Sequence, residues 1–540
     1  MPLKKIPAAV GVFLLPLLLG APFAGRTYFV DDHYHVLMAR GLLDHPARPY
    51  DFVADDAGPG HRGWERGQPP RMVNPPLHHY ALALFWKLTG GRLWAVRLLS
   101  LFFSAGAALM IFFLARRFVV PPVPAAVLSA LSPAFWLSSH ALLIDSTLMF
   151  FFCAALWAWT EGLARRSAGW LAASGVAMGA AILTKYTGGY VGVLALLYWA
   201  VAGPRPRWKP APLFLAIPAA VLGLWSLWNL WAYGAPHLTE SSKRVMQSFA
   251  WSHVLVFLSF LTGSLGFPFF AVPRTRRGVA VAGSAWGALT VLGVLAGFTL
   301  FQGAFIASLV VLGTVFLGDV LTVAVRSPFS GDRFLALWLL LGAVQMIWVM
   351  QWVAARYYLT LLPPAVFLFL RALRTRRAHA PEAFGRVVAR TAGVLFLLGG
   401  GLAVADWAQA ETGRRIVDDL RRDAPVAPSG RKFILWDSFR AGDLLKEDGW
   451  QPAFPETVFV PGDLLLRPEV VMPPWWFGPG RPPLAVRAIH NYPCRFPVRV
   501  MDNRGAAGFY ASAWGPLPFT LSRSPLERYT LFEVLSKENN

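Results

Sequence analysis

Two adjacent carboxylates followed closely by two imidazoles, Asp31-Asp32-His33-Tyr34-His35, lie just past the first apolar run of a 540-residue chain. At a bilayer surface such a group suits two kinds of chemistry, cation binding and the abstraction of a hydroxyl proton. A carboxylate beside low-dielectric lipid has its pKa raised, which improves it as a base. The same residues equally suit a helix start, because an acid at the head of a helical stretch over 32–43 favours the helix dipole. A third acid, Asp145, follows Ser139-His140-Ala141-Leu142-Leu143-Ile144 at the mouth of an apolar helix. Charge is costly there and tends to be kept for function; capping explains it as well.

Cations come next: Arg71, Lys185 in Leu183-Thr184-Lys185-Tyr186-Thr187-Gly188, and Arg356 in Ala355-Arg356-Tyr357-Tyr358. All abut apolar helices on the side where Lys and Arg are normally scarce. A phosphate-bearing head group would use them through charge-assisted hydrogen bonds, and snorkelling to outer-leaflet phosphates is the plainer alternative. In Asn74-Pro75-Pro76-Leu77-His78-His79-Tyr80 the diproline pre-sets a helix start, and the two histidines suit interfacial packing better than metal ligation. Trp64, Trp475, Trp476 and Tyr510 suit sugar or acceptor recognition, but core or interfacial anchoring more. Cys153 and Cys494 outline no disulfide framework, and no metal-type Cys/His spacing occurs.

The elements that must position these residues are membrane helices. Charged residues make up 15% of the chain and hydrophobic ones 56%, with a mean hydropathy of +0.47, against roughly 25% charged in a soluble domain. Apolar runs interrupted by Arg or Pro predict about thirteen spans, near 6–24, 93–114, 122–139, 145–163, 168–184, 186–202, 211–232, 252–272, 279–299, 303–322, 333–350, 357–372 and 391–408. Each approaches the ~20 residues that a bilayer requires. The start around Lys4-Lys5 reads as a retained first helix rather than a cleaved leader.

Charge orients the bundle. Arg116-Arg117, Arg165-Arg166, Arg205/Arg207/Lys209, Arg274/Arg276/Arg277, Arg326/Arg333 and the basic stretch 371–390 fall on one side, the cytoplasmic one. Asp31, Asp32, Asp44, Asp51, Asp55, Asp56, Asp145 and Glu240 fall on the other. The first outer loop, 25–92, is long and contains two pieces suited to lying in the interface plane. A transmembrane domain therefore spans 1–410. Residues 411–540, with a helix at 411–422 and β-like runs at 432–436, 457–460, 484–489, 496–501 and 529–534, form a small α+β domain outside the cytoplasm. The chain reads as a polytopic α-helical protein of the bacterial inner membrane, with its C-terminal domain in the periplasm.

The net charge of +21 lies in short loops at alternate helix ends, which argues against nucleic acid. A transporter predicts midplane charges and paired broken helices, and no internal repeat is visible. An O-antigen ligase or polymerase shares lipid-linked donors and outer-face arginines but not an acidic pair after helix one. A scaffold has no use for buried outer-face charge.

The order of these motifs resembles the GT-C glycosyltransferases, specifically the bacterial relatives of protein O-mannosyltransferases and of the lipid A aminoarabinose transferase (glycosyltransferase families 39 and 83). The acidic pair corresponds to Asp31-Asp32, a Pro-Pro-Leu segment to Pro75-Pro76-Leu77, a Ser-Pro stretch then an acid to Ser132-Pro133 and Asp145. A Gly-x-Ala-x-Leu-Thr-Lys type segment corresponds to Gly179–Lys185, and an Arg-Tyr before a Pro-rich helix to Arg356-Tyr357 and Pro363-Pro364. The match covers about residues 1–370, and it departs at Asn74, where the aminoarabinose branch usually carries Lys.

The resemblance implies an inverting hexosyl- or pentosyltransferase. The donor would be a polyprenyl-phosphate-linked sugar, and the acceptor a lipid, protein or glycan hydroxyl on the periplasmic side. Asp32 or Asp31 would be the base, with Asp32 slightly favoured, and Asp145 would orient the acceptor or the base. Lys185, Arg356, Arg71 and Tyr357 would hold the phosphate, while His33, Tyr34, Asn74, Pro75 and Pro76 would shape the acceptor side. No cofactor is required, and assistance by a divalent cation stays open.

Overall fold

The computed structural model describes residues 6–53, 63–65, 70–204, 206–245, 250–270, 275–376, 381–435, 441–453, 457–471 and 483–536. Asp55, Asp56, Arg205, Arg274, Trp475 and Trp476 lie outside these residues, as does the Lys4-Lys5 start.

Helix α1 (Ile6–Gly20) leads through a short 3-10 turn to α2 (Asp32–Asp44), the first expected interfacial helix, and α3 (Leu77–Thr89) is the second. Pro76 stands at the N-cap of α3, and Gly90 closes it in the left-handed conformation, where the absent Cβ removes the steric cost. Helix α4 (Leu93–Arg117) is unbroken. The span expected at 122–139 is two helices, α5 (Pro122–Leu131) and α6 (Pro133–Ser139). Pro133 has no N–H and its ring opposes the carbonyl one turn back, so Ser132 turns extended. Ser132 Oγ then donates to Ser129 O at 2.8 Å, satisfying a carbonyl at the break. The kink sends the chain through His140–Leu142 into α7 (Asp145–Arg165).

Helices α8 (Ala168–Thr184), α9 (Tyr190–Val201), α10 (Ala216–Tyr233) and α11 (His237–Val245) follow. Beyond them lie α12 (Trp251–Leu265), α13 (Arg276–Leu295), α14 (Leu300–Arg326), α15 (Ser330–Trp348) and α16 (Leu362–Arg376). Seven helices among the described residues are long and apolar enough to cross a membrane, and five shorter ones are apolar as well. The outward faces of α10 and α13 carry exposed Leu224, Trp231, Val281 and Leu292, as a lipid-facing surface would. The segment expected to open a span at 357 is a 3-10 stretch, Ala355–Leu361, ahead of α16.

The last long helix extends further than the sequence suggests. Instead of a span ending near 408 and a separate helix at 411–422, α17 (Pro381–Asp423) is one helix of 43 residues, about 60 Å long. Ala408-Gln409-Ala410-Glu411-Thr412 contains no Gly or Pro to break it. Its C-terminal turns bury Ile416, Val417 and Leu420 against Ile434, Leu464, Leu466 and Leu531.

Those residues belong to a mixed sheet in which β1 (Lys432–Leu435) pairs parallel with β2 (Trp450–Ala453) and β3 (Leu464–Pro468). A one-turn helix, α18 (Asp443–Lys446), lies between β1 and β2. Strand β4 (Leu484–Tyr492) is followed by the short β5 (Val498–Arg499), β6 (Met501–Asp502), β7 (Ala507–Gly508) and β8 (Thr520–Leu521). Strand β9 (Glu527–Val534) runs antiparallel to β3 and β4 and completes the order β2-β1-β3-β9-β4. Residues 457–460, expected as strand, are irregular, and β2 and β3 were not foreseen.

Candidate active site

Asp31 and Asp32 are neighbours in sequence and partners of different networks. Between α1 and α2 the chain turns sharply at Val30, whose φ of 51° is a costly conformation for a β-branched residue. Asp31 then occupies the N-cap position of α2 without making a side-chain cap bond. Capping therefore does not account for its carboxylate.

Asp32, the favoured base from sequence, is instead wholly buried and saturated with donors. Its Oδ2 accepts Arg26 Nη2 at 2.9 Å, Arg97 Nη2 at 3.0 Å and Phe29 N at 3.3 Å, and its Oδ1 accepts Leu142 N at 2.8 Å. Burial pushes its pKa up, but Arg97 and Arg26 outweigh that and hold it below the ordinary carboxylate value. Arg26 also pairs with Asp406 of α17. Asp406 accepts Tyr510 Oη at 2.7 Å and faces His140 Nε2 at 3.4 Å. Five residues further along α17, Glu411 accepts both the amide and the hydroxyl of Thr27. This network, from the ends of the chain and α4, fixes the segment that presents Asp31.

Asp31 points elsewhere. Its side chain is 35% exposed, and its Oδ2 lies 2.8 Å from Arg356 Nη2. Arg356 Nε lies 3.3 Å from Asp145 Oδ2, and Asp145 Oδ1 accepts Lys185 Nζ at 2.9 Å. Four charges thus alternate in sign, starting from the partly exposed Asp31. The Tyr357 ring faces both cations, with its centroid 4.2 Å from Lys185 Nζ and 5.3 Å from Arg356 Cζ. Burial opposes the charge of Arg356, and Tyr357, Asp31 and Asp145 more than offset it, so its pKa lies above the ordinary arginine value.

Local structure explains each placement. Helix α8 ends at Thr184, and Lys185 is extended before the 3-10 turn Tyr186–Gly189. Gly188 folds back so closely that a Cβ there would stand 2.5 Å from Ala181 O, a contact only glycine escapes. Asp145 is the first residue of α7, buried, and makes no cap bond. Asp145, Lys185, Arg356 and Tyr357 line a partly open cavity whose other walls include Leu148, Met346, Met350 and Leu359. Its lining is part charged and part apolar.

The histidines fasten the interfacial helices. His35 Nδ1 lies 2.9 Å from His79 Nε2, and His78 Nδ1 lies 2.9 Å from Thr147 Oγ1, so α2, α3 and α7 are tied together. Burial, and then the neighbouring His78, lower the His35 pKa to about 3. Burial lowers that of His78 to about 4, against the Leu142 carbonyl and Asp145. Both rings are neutral at ordinary pH.

Other sequence candidates lie apart from the cavity. Arg71 is not among its lining residues, and its backbone N–H bonds to Gly63 O. Asn74 offers its carbonyl to Tyr50 Oη at 3.1 Å, while Pro75 and Pro76 lead into α3. His33 packs between Tyr28 and Tyr34, and Tyr34 packs on the Tyr50–Trp64 cluster. Trp64 stacks on Tyr233. Tyr510 is buried and, although not a lining residue, offers its carbonyl to Arg356 Nη1 at 3.0 Å. Among the described residues no group of three His, Cys, Asp or Glu side chains is placed to hold a metal ion.

Sequence reasoning missed Arg26, Arg97, His140 and Asp406. An arginine at the outer end of α1, against the usual bias, and an aspartate inside an apolar helix are the signals that point to them.

Residues 73–231 match the family model described as dolichyl-phosphate-mannose-protein mannosyltransferase. The matched stretch holds Asn74-Pro75-Pro76, Asp145 and Lys185, in keeping with the resemblance read from the sequence. No curated protein matches the chain. Among solved structures, the oligosaccharyltransferase AglB of Archaeoglobus fulgidus is 13% identical with a TM-score of 0.45; the match covers 82% of this chain and 64% of that one. ArnT of Cupriavidus metallidurans is 16% identical with a TM-score of 0.41, covering 85% of this chain and 92% of that one. The protein O-mannosyltransferase Pmt1-Pmt2 complex of S. cerevisiae is 15% identical with a TM-score of 0.34, covering 49% and 37%.

Proposed function

We propose that the protein is an inverting glycosyltransferase that moves a sugar from a polyprenyl-phosphate donor to an acceptor hydroxyl at the periplasmic face of the bacterial inner membrane. The observation that carries this reading is the alternating row Asp31–Arg356–Asp145–Lys185, with one carboxylate at its exposed end and two cations beside a partly apolar cavity. Asp31, rather than the more deeply held Asp32, is the base.

In the reaction Asp31 takes the proton of the acceptor hydroxyl as its oxygen bonds to the anomeric carbon. The bond from that carbon to the phosphate oxygen breaks from the opposite side, so the configuration inverts. The donor phosphate carries one negative charge, and the leaving polyprenyl phosphate carries a second. Arg356 and Lys185 interact more strongly with the leaving group than with the donor, which is the differential binding that lowers a barrier. An ionised phosphate leaves without a general acid, unlike the two-carboxylate arrangement of glycosidases. Asp145 is fixed between the two cations and keeps their spacing. Donor phosphate competes with Asp31 for Arg356, so the incoming donor itself frees the base.

The test is turnover by purified, reconstituted protein with a panel of labelled polyprenyl-phosphate sugars and a membrane and cell-wall extract, scoring released polyprenyl phosphate. Release with at least one donor, abolished by Asp31→Asn, supports the reading. No binding or release across a broad panel overturns it.

A further inference from the structure

The residue that joins the two halves of this site comes from the far end of the chain. Tyr510 lies in the irregular segment after β7, is buried, and makes contacts in three directions. Its carbonyl accepts Arg356 Nη1 at 3.0 Å. Its hydroxyl donates to Asp406 Oδ1 at 2.7 Å and accepts from Arg26 Nη1 at 3.1 Å. Its ring meets Phe29 edge to face at 5.6 Å, one residue before the strained Val30 that leads to Asp31.

The backbone around Tyr510 is fastened to the backbone around Arg356. Ala355 N donates to Phe509 O at 2.9 Å, and Ser512 N donates to Val353 O at 2.7 Å. Val353 N in turn donates to Ser512 Oγ at 2.9 Å. Segments 353–355 and 509–512 therefore run side by side, although neither forms a regular strand.

Arg356 has a planar guanidinium whose N–H groups leave in fixed directions. Nη2 addresses Asp31, Nε addresses Asp145, and Nη1 addresses the Tyr510 carbonyl. Asp31 is half-exposed and is the contact a phosphate would replace. The aim of the fork during that exchange rests on the other two. Asp145 is held by the start of α7, and the Tyr510 carbonyl by a hydroxyl anchored in the buried ion network.

We propose that Tyr510 is a positioning residue for Arg356, which makes the C-terminal segment around 509–512 a working part of the donor-phosphate site. The inference rests on reading Arg356 as a phosphate clamp. The hydroxyl acts through the backbone: with Asp406 and Arg26 it pins the residue whose carbonyl aims the guanidinium.

A double-mutant cycle on the full chain separates the two claims. The probe is a long-chain polyprenyl phosphate titrated into protein in nanodiscs, with the melting temperature measured on the same samples. Arg356→Gln is expected to weaken binding about 30-fold or more, as loss of one partner of a buried charge contact does. Tyr510→Phe is expected to weaken it about threefold to tenfold, the effect of one hydrogen bond, and to add nothing in the Arg356→Gln background. Binding unchanged by Arg356→Gln overturns the phosphate reading itself. If Arg356→Gln weakens binding, Tyr510→Phe that lowers only the melting temperature, or costs the same affinity in both backgrounds, overturns the positioning role. If Tyr510→Phe does not fold, Ser512→Ala, which releases Val353 N, runs through the same cycle with the same criteria.

Discussion

Arg356 Nη2 stands 2.8 Å from Asp31 Oδ2, so the best-exposed carboxylate of the site and its most extensively coordinated cation are each other's partner. An anion that takes up Arg356 must compete with Asp31, and the carboxylate it displaces becomes available to a hydroxyl. Asp32, one residue on, has no such freedom, because four donors already converge on it.

Asp31→Asn should therefore separate catalysis from binding. Turnover is expected to fall by about 100-fold to 10,000-fold with the loss of the general base. Affinity for polyprenyl phosphate is expected to rise, because a neutral amide competes less for Arg356. Single-turnover rates and binding titrations on the same preparation check both; weaker binding with retained turnover would contradict the assignment.

Asp32→Asn should act on folding. It leaves Arg26 and Arg97 buried with one counter-charge fewer, and breaking a buried ion pair costs about 3–5 kcal/mol. A large drop in melting temperature or in folded yield is expected, whereas Asp31→Asn should melt within a few degrees of wild type. A well-folded but inactive Asp32→Asn beside an active Asp31→Asn would reverse the two roles.

Lys185→Gln should weaken polyprenyl phosphate binding by about tenfold, the scale of a charge-assisted hydrogen bond. Among the described residues Asp145 would then keep only Arg356 as an ionic partner. Lys185→Arg should restore part of the loss because it keeps the charge over Tyr357. Equal binding by all three proteins would remove Lys185 from the site.

Stability should fall on mild acidification. His35 and His78 are buried neutral, with burial pushing their pKa values from 6.5 to about 3 and about 4. The unfolded chain binds protons at these sites as pH drops below 6.5, and the folded chain resists until near 3 or 4. The stability of neutral burial is thus complete above 6.5 and is lost progressively from there toward 4. The melting temperature, followed from pH 7.5 to 4, should decline across that window, and His78→Gln should make the decline shallower. A slope identical in the variant would exclude His78 as a contributor.

Much of the candidate site was legible because its parts announce themselves locally. Asp145, Lys185 and Arg356 are charges at the ends of apolar helices, where their cost demands a reason, and the structure brings them to one cavity. Helices α2 and α3 start where the acidic pair and the diproline indicate. The kink between α5 and α6 was readable in principle from Pro133, since a missing N–H is a property of one residue. The continuity of α17 through 408–412 was obscured because a fall in hydropathy resembles a helix end, although no breaker is present.

What the sequence by itself determined is the inventory: which residues carry charge, which runs are apolar, and the order in which they come. What only the tertiary structure decided is who pairs with whom. Arg26 meets Asp406 across 380 positions and Tyr510 across 484, and those contacts put Asp32 into a sealed network while leaving Asp31 at the open end. Capping preferences and helical periodicity act within a few residues and treat the two aspartates alike. Desolvation and ion pairing depend on distant side chains that packing brings together, and those forces set the fully paired, buried Asp32 apart from the partly exposed Asp31.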